Sequence, residues 1–139
     1  MTSTYNDIRQ AIEARLATEM ALSPSYPVSY ENVPFDPPNN TPWVKAQIRF
    51  GLNNYATLLG PTTGTNQQIG IVALDVFTPA GTGAGANYTI AERLKDLFDR
   101  QTVSQIIFDP ADGPAIVEPA NPAAYFQTQL LITFQAFVQ

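Results

Sequence analysis

The sequence predicts an α/β fold of the α+β kind: a mostly antiparallel sheet of about four to six strands, flanked by two helices and containing one long β-hairpin. Three observations carry that prediction. Two segments place apolar residues at steps of three and four, the helical period. Trp43–Phe50 alternates apolar and polar residues, the strand period. The run from Tyr125 to Val138 is apolar on one parity and carries no charge, so it is expected to be paired within the sheet.

The first helix is expected from Thr4 to Leu22. Tyr5, Ile8, Ile12, Leu16 and Met20 make one apolar stripe, read as a core face. Thr4 followed by Asp7 resembles a capping box with Asp in the usual Glu place. Ser23-Pro24 ends the helix, because a residue before proline avoids the α region. Pro27–Phe35 reads as a short edge strand leading into an extended crossing, since prolines at 27, 34, 37 and 38 forbid a central strand.

In the strand Trp43–Phe50, Val44, Ala46, Ile48 and Phe50 face one way and Lys45, Gln47 and Arg49 the other. Gly51–Asn66 is expected to be a long loop rich in Asn, Thr and Gly; loops of that length without structure of their own are functional or disordered. Gln67–Thr78 is apolar on both faces for much of its length, which places it centrally. The two strands are expected to pair as a hairpin with the loop at its tip.

Pro79–Ala86 is a flexible glycine-rich turn into a second helix, expected from Asn87 to Arg100. Ile90, Ala91, Leu94, Leu97 and Phe98 face inward, and Asn87 or Thr89 caps the start. Glu92 with Lys95 and Asp96 with Arg100 are expected surface pairs worth about 0.3 kcal/mol each. Val103–Phe108 reads as a short strand, Asp109–Pro114 as a turn, and Ala115–Glu118 as a short return strand before a bend at Pro119 and Pro122. In the closing strand, Phe126, Leu130, Ile132 and Phe134 oppose Gln127, Gln129, Thr133 and Gln135. With 139 residues and no internal repeat, one domain spanning 1–139 is expected.

Charged residues make up 14% of the chain, against about 25% in ordinary domains. Either other subunits cover part of the surface, or it is neutral and rich in Thr, Asn and Gln. The net charge of −5 does not suit gripping nucleic acid, which needs a basic face. It does suit a passage through which DNA slides. Cysteine is absent, so no disulfide or thiolate chemistry is expected. No apolar run approaches the roughly 20 residues of a membrane span, and Met1–Asp7 lacks the pattern of a secretory signal. A soluble product made in the cytoplasm is expected.

The chain also lacks histidine, which removes the commonest general base and nearly all zinc sites. Lys45 and Lys95 are the only lysines, and neither sits in an apolar setting suited to a Schiff base. Asp109 and Asp112 occupy a Pro/Gly turn where Asp serves turn geometry, and they lack the following Glu of a calcium loop. Asp75 interrupts an apolar strand; it either faces solvent or pairs across a subunit boundary with Arg49. Gly81, Gly83 and Ala86 satisfy a relaxed dinucleotide pattern, but no acidic residue follows at the required place. Asn87-Tyr88-Thr89 matches a glycosylation sequon in a chain with no secretory character. No catalytic, cofactor or metal site is expected.

The order Tyr30-Glu31-Asn32-Val33-Pro34-Phe35, Trp43-Val44, Gln68-Ile69-Gly70, Leu74-Asp75-Val76-Phe77-Thr78-Pro79-Ala80-Gly81-Thr82-Gly83, then Ala91 to Phe98, resembles the tail terminator family of tailed bacteriophages. The resemblance implies a non-enzymatic subunit of the virion tail or neck. Such a subunit forms a six-fold ring on the tail tube, stops polymerisation and docks the head-side connector. Its partners would be further copies of itself, the tail tube protein and the connector, with genome DNA passing through unbound and no membrane involved. Tyr55, Leu58, Leu59, Thr62, Thr63, Thr65 and Asn66 on one loop, and Gly81, Thr82, Gly83 and Gly85 on the other, are candidate assembly contacts. A head–tail joining or tail-completion protein is the neighbouring alternative. A small-ligand domain using the Gly81–Gly85 turn is the distant one.

Overall fold

Apolar side chains on two helices and on one parity of three long strands meet to form the main core. The computed structural model describes residues 4–120 and 123–138; the bend expected at Pro122 and the first three residues lie outside that range. Helix α1 (Tyr5–Met20) opens with the expected capping box. The Asp7 N–H donates to Thr4 Oγ1 at 3.1 Å, and the Thr4 N–H donates to the Asp7 carboxylate at 3.0 Å. Ile8, Ile12, Leu16 and Met20 are buried. Tyr5 is not part of that buried stripe: it is exposed, set edge-on to Phe50 at 4.8 Å.

The strands are β1 (Val28–Ser29), β2 (Trp43–Tyr55), β3 (Asn66–Pro79), β4 (Thr102–Val103), β5 (Ile106–Phe108), β6 (Asp112–Val117) and β7 (Tyr125–Val138). They form one sheet in the order β1-β2-β3-β7-β5-β4, with β6 also paired to β7. All pairs are antiparallel except β1 with β2. The hairpin β2–β3 forms as expected and β3 is central. Helix α2 (Gly85–Phe98) connects β3 to the far side of the sheet. The strand after α2 is β4, which is antiparallel to β5; since β3 and β5 both run antiparallel to β7, α2 links two strands of opposite direction with β7 and β5 between them.

The strand count exceeds the expected four to six because Val103–Phe108 breaks where Ser104 takes a left-handed conformation, φ 54°. The return strand also starts earlier than expected. Asp112-Gly113-Pro114 is strand with a register shift, made possible by Gly113 at φ 102°. Helix α2 begins two residues before Asn87, so neither Asn87 nor Thr89 is its cap. The Thr89 hydroxyl donates to the Gly85 carbonyl one turn back. Arg100 lies past the helix end at φ 55° and pairs with Asp99 at 2.9 Å, not with Asp96. Among the described residues no ion pair joins Glu92 to Lys95.

The even positions of β2, β3 and β7 pack against both helices. One end of the opposite face carries a second cluster. Trp43 stacks on its cross-strand partner Phe77 at 3.9 Å, Tyr125 stands edge-on to both, and Phe35 leans on Trp43 at 5.0 Å. The Tyr125 hydroxyl donates to the Pro38 carbonyl, so the proline-rich crossing is tied over that end of the sheet.

Candidate assembly interface

Strand β2 does not stop at Phe50. Its pairing with β3 shifts between Phe50 and Asn53 and then resumes as Asn53↔Gln68, Asn54↔Gln67 and Tyr55↔Asn66. Such a shift strips backbone groups from the ladder. The buried Gln68 side chain compensates: its amide donates to the carbonyls of Gly51 at 3.0 Å and Ile69 at 2.9 Å, and its oxygen accepts from the Tyr5 hydroxyl at 3.3 Å. On the other side, β3 remains paired with β7 as far as Asn66↔Val138. The arm is therefore built into the sheet.

The tip is also closed, which corrects the expectation of a long structureless loop over Gly51–Asn66. The N–H groups of Ala56 and Thr57 both donate to the Thr65 carbonyl at 3.0 Å. The Thr65 N–H donates to Thr57 Oγ1 at 2.9 Å, and the Gly64 N–H to the Gly60 carbonyl at 2.7 Å. Threonine hydroxyls supply local acceptors, and glycine permits the close approach. A Cβ on Gly64 would stand 2.6 Å from the Leu59 carbonyl oxygen.

This closed tip turns its apolar residues outward. Leu52, Tyr55, Leu58 and Leu59 are 70%, 76%, 89% and 61% exposed. Thr62 and Thr63 are exposed beside them, while Thr65 and Asn66 are half-buried where the arm closes. No charged residue occurs from Phe50 to Leu74. Exposed apolar side chains gathered on one element make it a candidate interaction site. Leu52 was absent from the sequence-based candidates; its signal was the apolar position two residues past Phe50, masked by Gly51 and the two asparagines.

The glycine turn holds Gly81 and Gly83 in left-handed conformations, φ 83° and 86°. Gly81, Thr82, Gly83 and Gly85 are exposed, and the Thr82 hydroxyl donates to the Pro79 carbonyl at 2.8 Å. The two candidate loops are not brought together. They lie at opposite ends of the 14-residue β3, about 43 Å apart at roughly 3.3 Å per residue.

Asp75 does not face solvent. It is 5% exposed and lies between Lys45 on β2 and Gln129 on β7. Its nearest cation in the register is Lys45; Arg49 is exposed two steps along the same face, opposite Ile71. Burial raises the Asp75 carboxyl above its ordinary range, and Gln129, Lys45, Gln127 and Arg49 oppose that rise without cancelling it. Oδ1 is buried without a hydrogen-bond partner among the described residues. The protonated form therefore fits the folded state better than the charged form. The stability this confers is present below the unfolded value near 3.8 and is lost as pH rises through the higher folded value. Asp75→Asn is expected to stabilise the isolated chain at pH 7 by about 1 kcal/mol, or roughly 3 °C in Tm. The advantage should fade as pH approaches 4. Thermal melts across pH check this; a lower Tm for the Asn variant at neutral pH would refute it.

The remaining sequence candidates fall apart in space. Lys95 is half-buried on α2, Lys45 is half-buried beside Asp75, and Asp109 and Asp112 are exposed. Among the described residues no three metal-ligating side chains cluster. No helix among them is long and apolar enough to cross a membrane. The dinucleotide reading requires adjacent parallel strands around the helix, and here the flanking strands β3 and β4 run in opposite directions with β7 and β5 between them. Asn87 of the sequon is fully buried.

Fold and surface together define an α+β protein of sheet and two helices, with a group of exposed apolar residues at one hairpin tip. The profile of the phage tail terminator protein family matches residues 7–118. The chain belongs to that family, and it is a structural component of a phage tail. A solved structure of 21% identity covers 96% of this chain and 95% of its own length with a TM-score of 0.70, which shows a shared fold. No curated protein matches the chain in sequence.

Proposed function

We propose that the chain forms a six-fold ring on the end of the tail tube, ends tube polymerisation and offers the docking surface for the head-side connector. The observation that carries this reading is the closed, uncharged hairpin tip with Leu58 and Leu59 outside. A side chain exposed in one copy and apolar on a pre-ordered support costs little entropy to dock. The placement of the two candidate loops at opposite ends of β3 supports a ring with two different faces. The net charge of −5 supports a lumen that lets DNA slide. In this role the chain acts through its contacts, without catalysis or cofactor.

The test is assembly with tail-tube protein from the same phage, read by mass in solution and by electron microscopy of tube ends. The chain is expected to cap one end and halt elongation. Leu58→Asp with Leu59→Asp should leave the melting curve within about 0.5 kcal/mol of the parent, since exposed substitutions rarely cost more. It should reduce capping at least tenfold. Tubes that elongate normally in excess of the parent chain would overturn the reading.

A further inference from the structure

We propose that the hairpin tip of one copy enters the groove between α1 and the end of α2 on the next copy, so that this contact joins neighbours around the ring. The inference rests on the ring reading above and names its subunit contact. The apolar lining of the groove is Ala11, Ala14, Leu22, Leu97 and Val103, with the hydroxyls of Thr18 and Ser104 beside them, and Leu22 is exposed. Two charged side chains border it, and both are engaged within the chain. Arg15 Nε donates to the Leu97 carbonyl at 2.9 Å, and the Glu19 carboxylate pairs with Arg93 at 3.2 Å. The groove thus offers an apolar strip beside one ion pair and the Arg15 cation, and its one carboxylate is paired.

Charge decides which partner fits. Each copy carries −5, so contact between copies is favoured where neither surface adds unpaired negative charge. The arm supplies one such surface, because Phe50–Leu74 has no ionisable charge. The groove supplies the other, because its one carboxylate, Glu19, is paired with Arg93. Tip and groove are separate patches of one molecule, and no tip residue lines the groove. A contact between two different patches is head-to-tail, the kind that closes rings. A self-complementary tip-to-tip contact would stop at a dimer.

The chain has no cysteine, so introduced thiols report the contact without background. Ala14 and Leu58 are both exposed, which keeps the substitutions out of the core. Leu58→Cys protein is mixed with Ala14→Cys protein, assembled on tube ends and oxidised. Bridged pairs are expected in the mixture and not in either variant alone, since a disulfide needs Cα atoms within about 7 Å. A chain carrying both substitutions should give a ladder of bridged multimers on a non-reducing gel. Rings on tube ends without these bridges, or Leu58→Cys bridging equally well to itself, would overturn the tip-in-groove contact and leave the ring reading standing. If the unsubstituted chain makes no ring on tube ends, the ring reading fails and the contact fails with it.

Discussion

Gly70→Ala is expected to destabilise the protein by about 2–3 kcal/mol, the cost of overpacking a filled core. A Cβ at position 70 would stand 2.4 Å from Cζ of Phe134 and 2.8 Å from the Arg49 carbonyl oxygen. The ring cannot swing freely. Phe134 is fully buried, with Phe50 and Phe108 set against it at 6.2 and 6.1 Å. The carbonyl is worse, because it belongs to the backbone of the neighbouring strand. Gly70 is thus a floor for the Phe134 ring in the middle of the sheet, where glycine would otherwise weaken a strand. Urea unfolding should show a lower midpoint at unchanged slope. Phe134→Leu should recover part of the loss in the Gly70→Ala background, because two contacting sites couple. Equal midpoints for parent and Gly70→Ala would show that the strands separate easily there.

Asn87→Ala should cost about 3 kcal/mol despite replacing asparagine with a better helix former, a gain of only about 0.5 kcal/mol. The fully buried Asn87 amide donates to the carbonyls of Val76 at 3.0 Å and Phe126 at 3.2 Å, and to Thr78 Oγ1 at 3.3 Å. Its oxygen accepts from the Thr128 hydroxyl. One side chain therefore fastens the start of α2 to both β3 and β7. Alanine leaves those buried groups unpaired, and each unpaired group costs about 1–3 kcal/mol. Asn87→Asp keeps the acceptor and loses the donors, so it should also destabilise strongly. Hydrogen exchange should speed first in the opening turn of α2. A variant as stable as the parent would mean that water replaces the amide.

Sequence periodicity recovered the elements whose burial is one-sided. Strand β7 runs over the expected residues because its alternation is unbroken from Leu130 to Val138. The core face of α1 is read correctly except at Tyr5, where the helix start projects past the main core and meets the base of the arm. The distal part of β2 was hidden because Gly51, Asn53 and Asn54 look like loop residues. They are strand because Gln68, in the opposite strand, repairs the ladder at the shift. The exposed tip residues Tyr55, Leu58 and Leu59 were legible as candidates, since apolar residues in a polar stretch stand out without any coordinates. The closed turn that presents them was not legible, because it depends on hydrogen bonds that form only when residues 57 and 65 meet.

By itself the sequence determined the fold class, the two helices, the central hairpin, the poverty of acid–base groups and the resemblance that the family profile bears out. Those properties are local: period, composition and residue order are complete before the chain folds. Only the tertiary structure decided that Asn87 is a buried clasp, that Asp75 is enclosed by Lys45 and two glutamines' strand, and that the two exposed loops point from opposite ends of β3. These depend on residues far apart in the chain becoming neighbours. A polar side chain's role is set by whichever donors, acceptors and charges folding brings within reach.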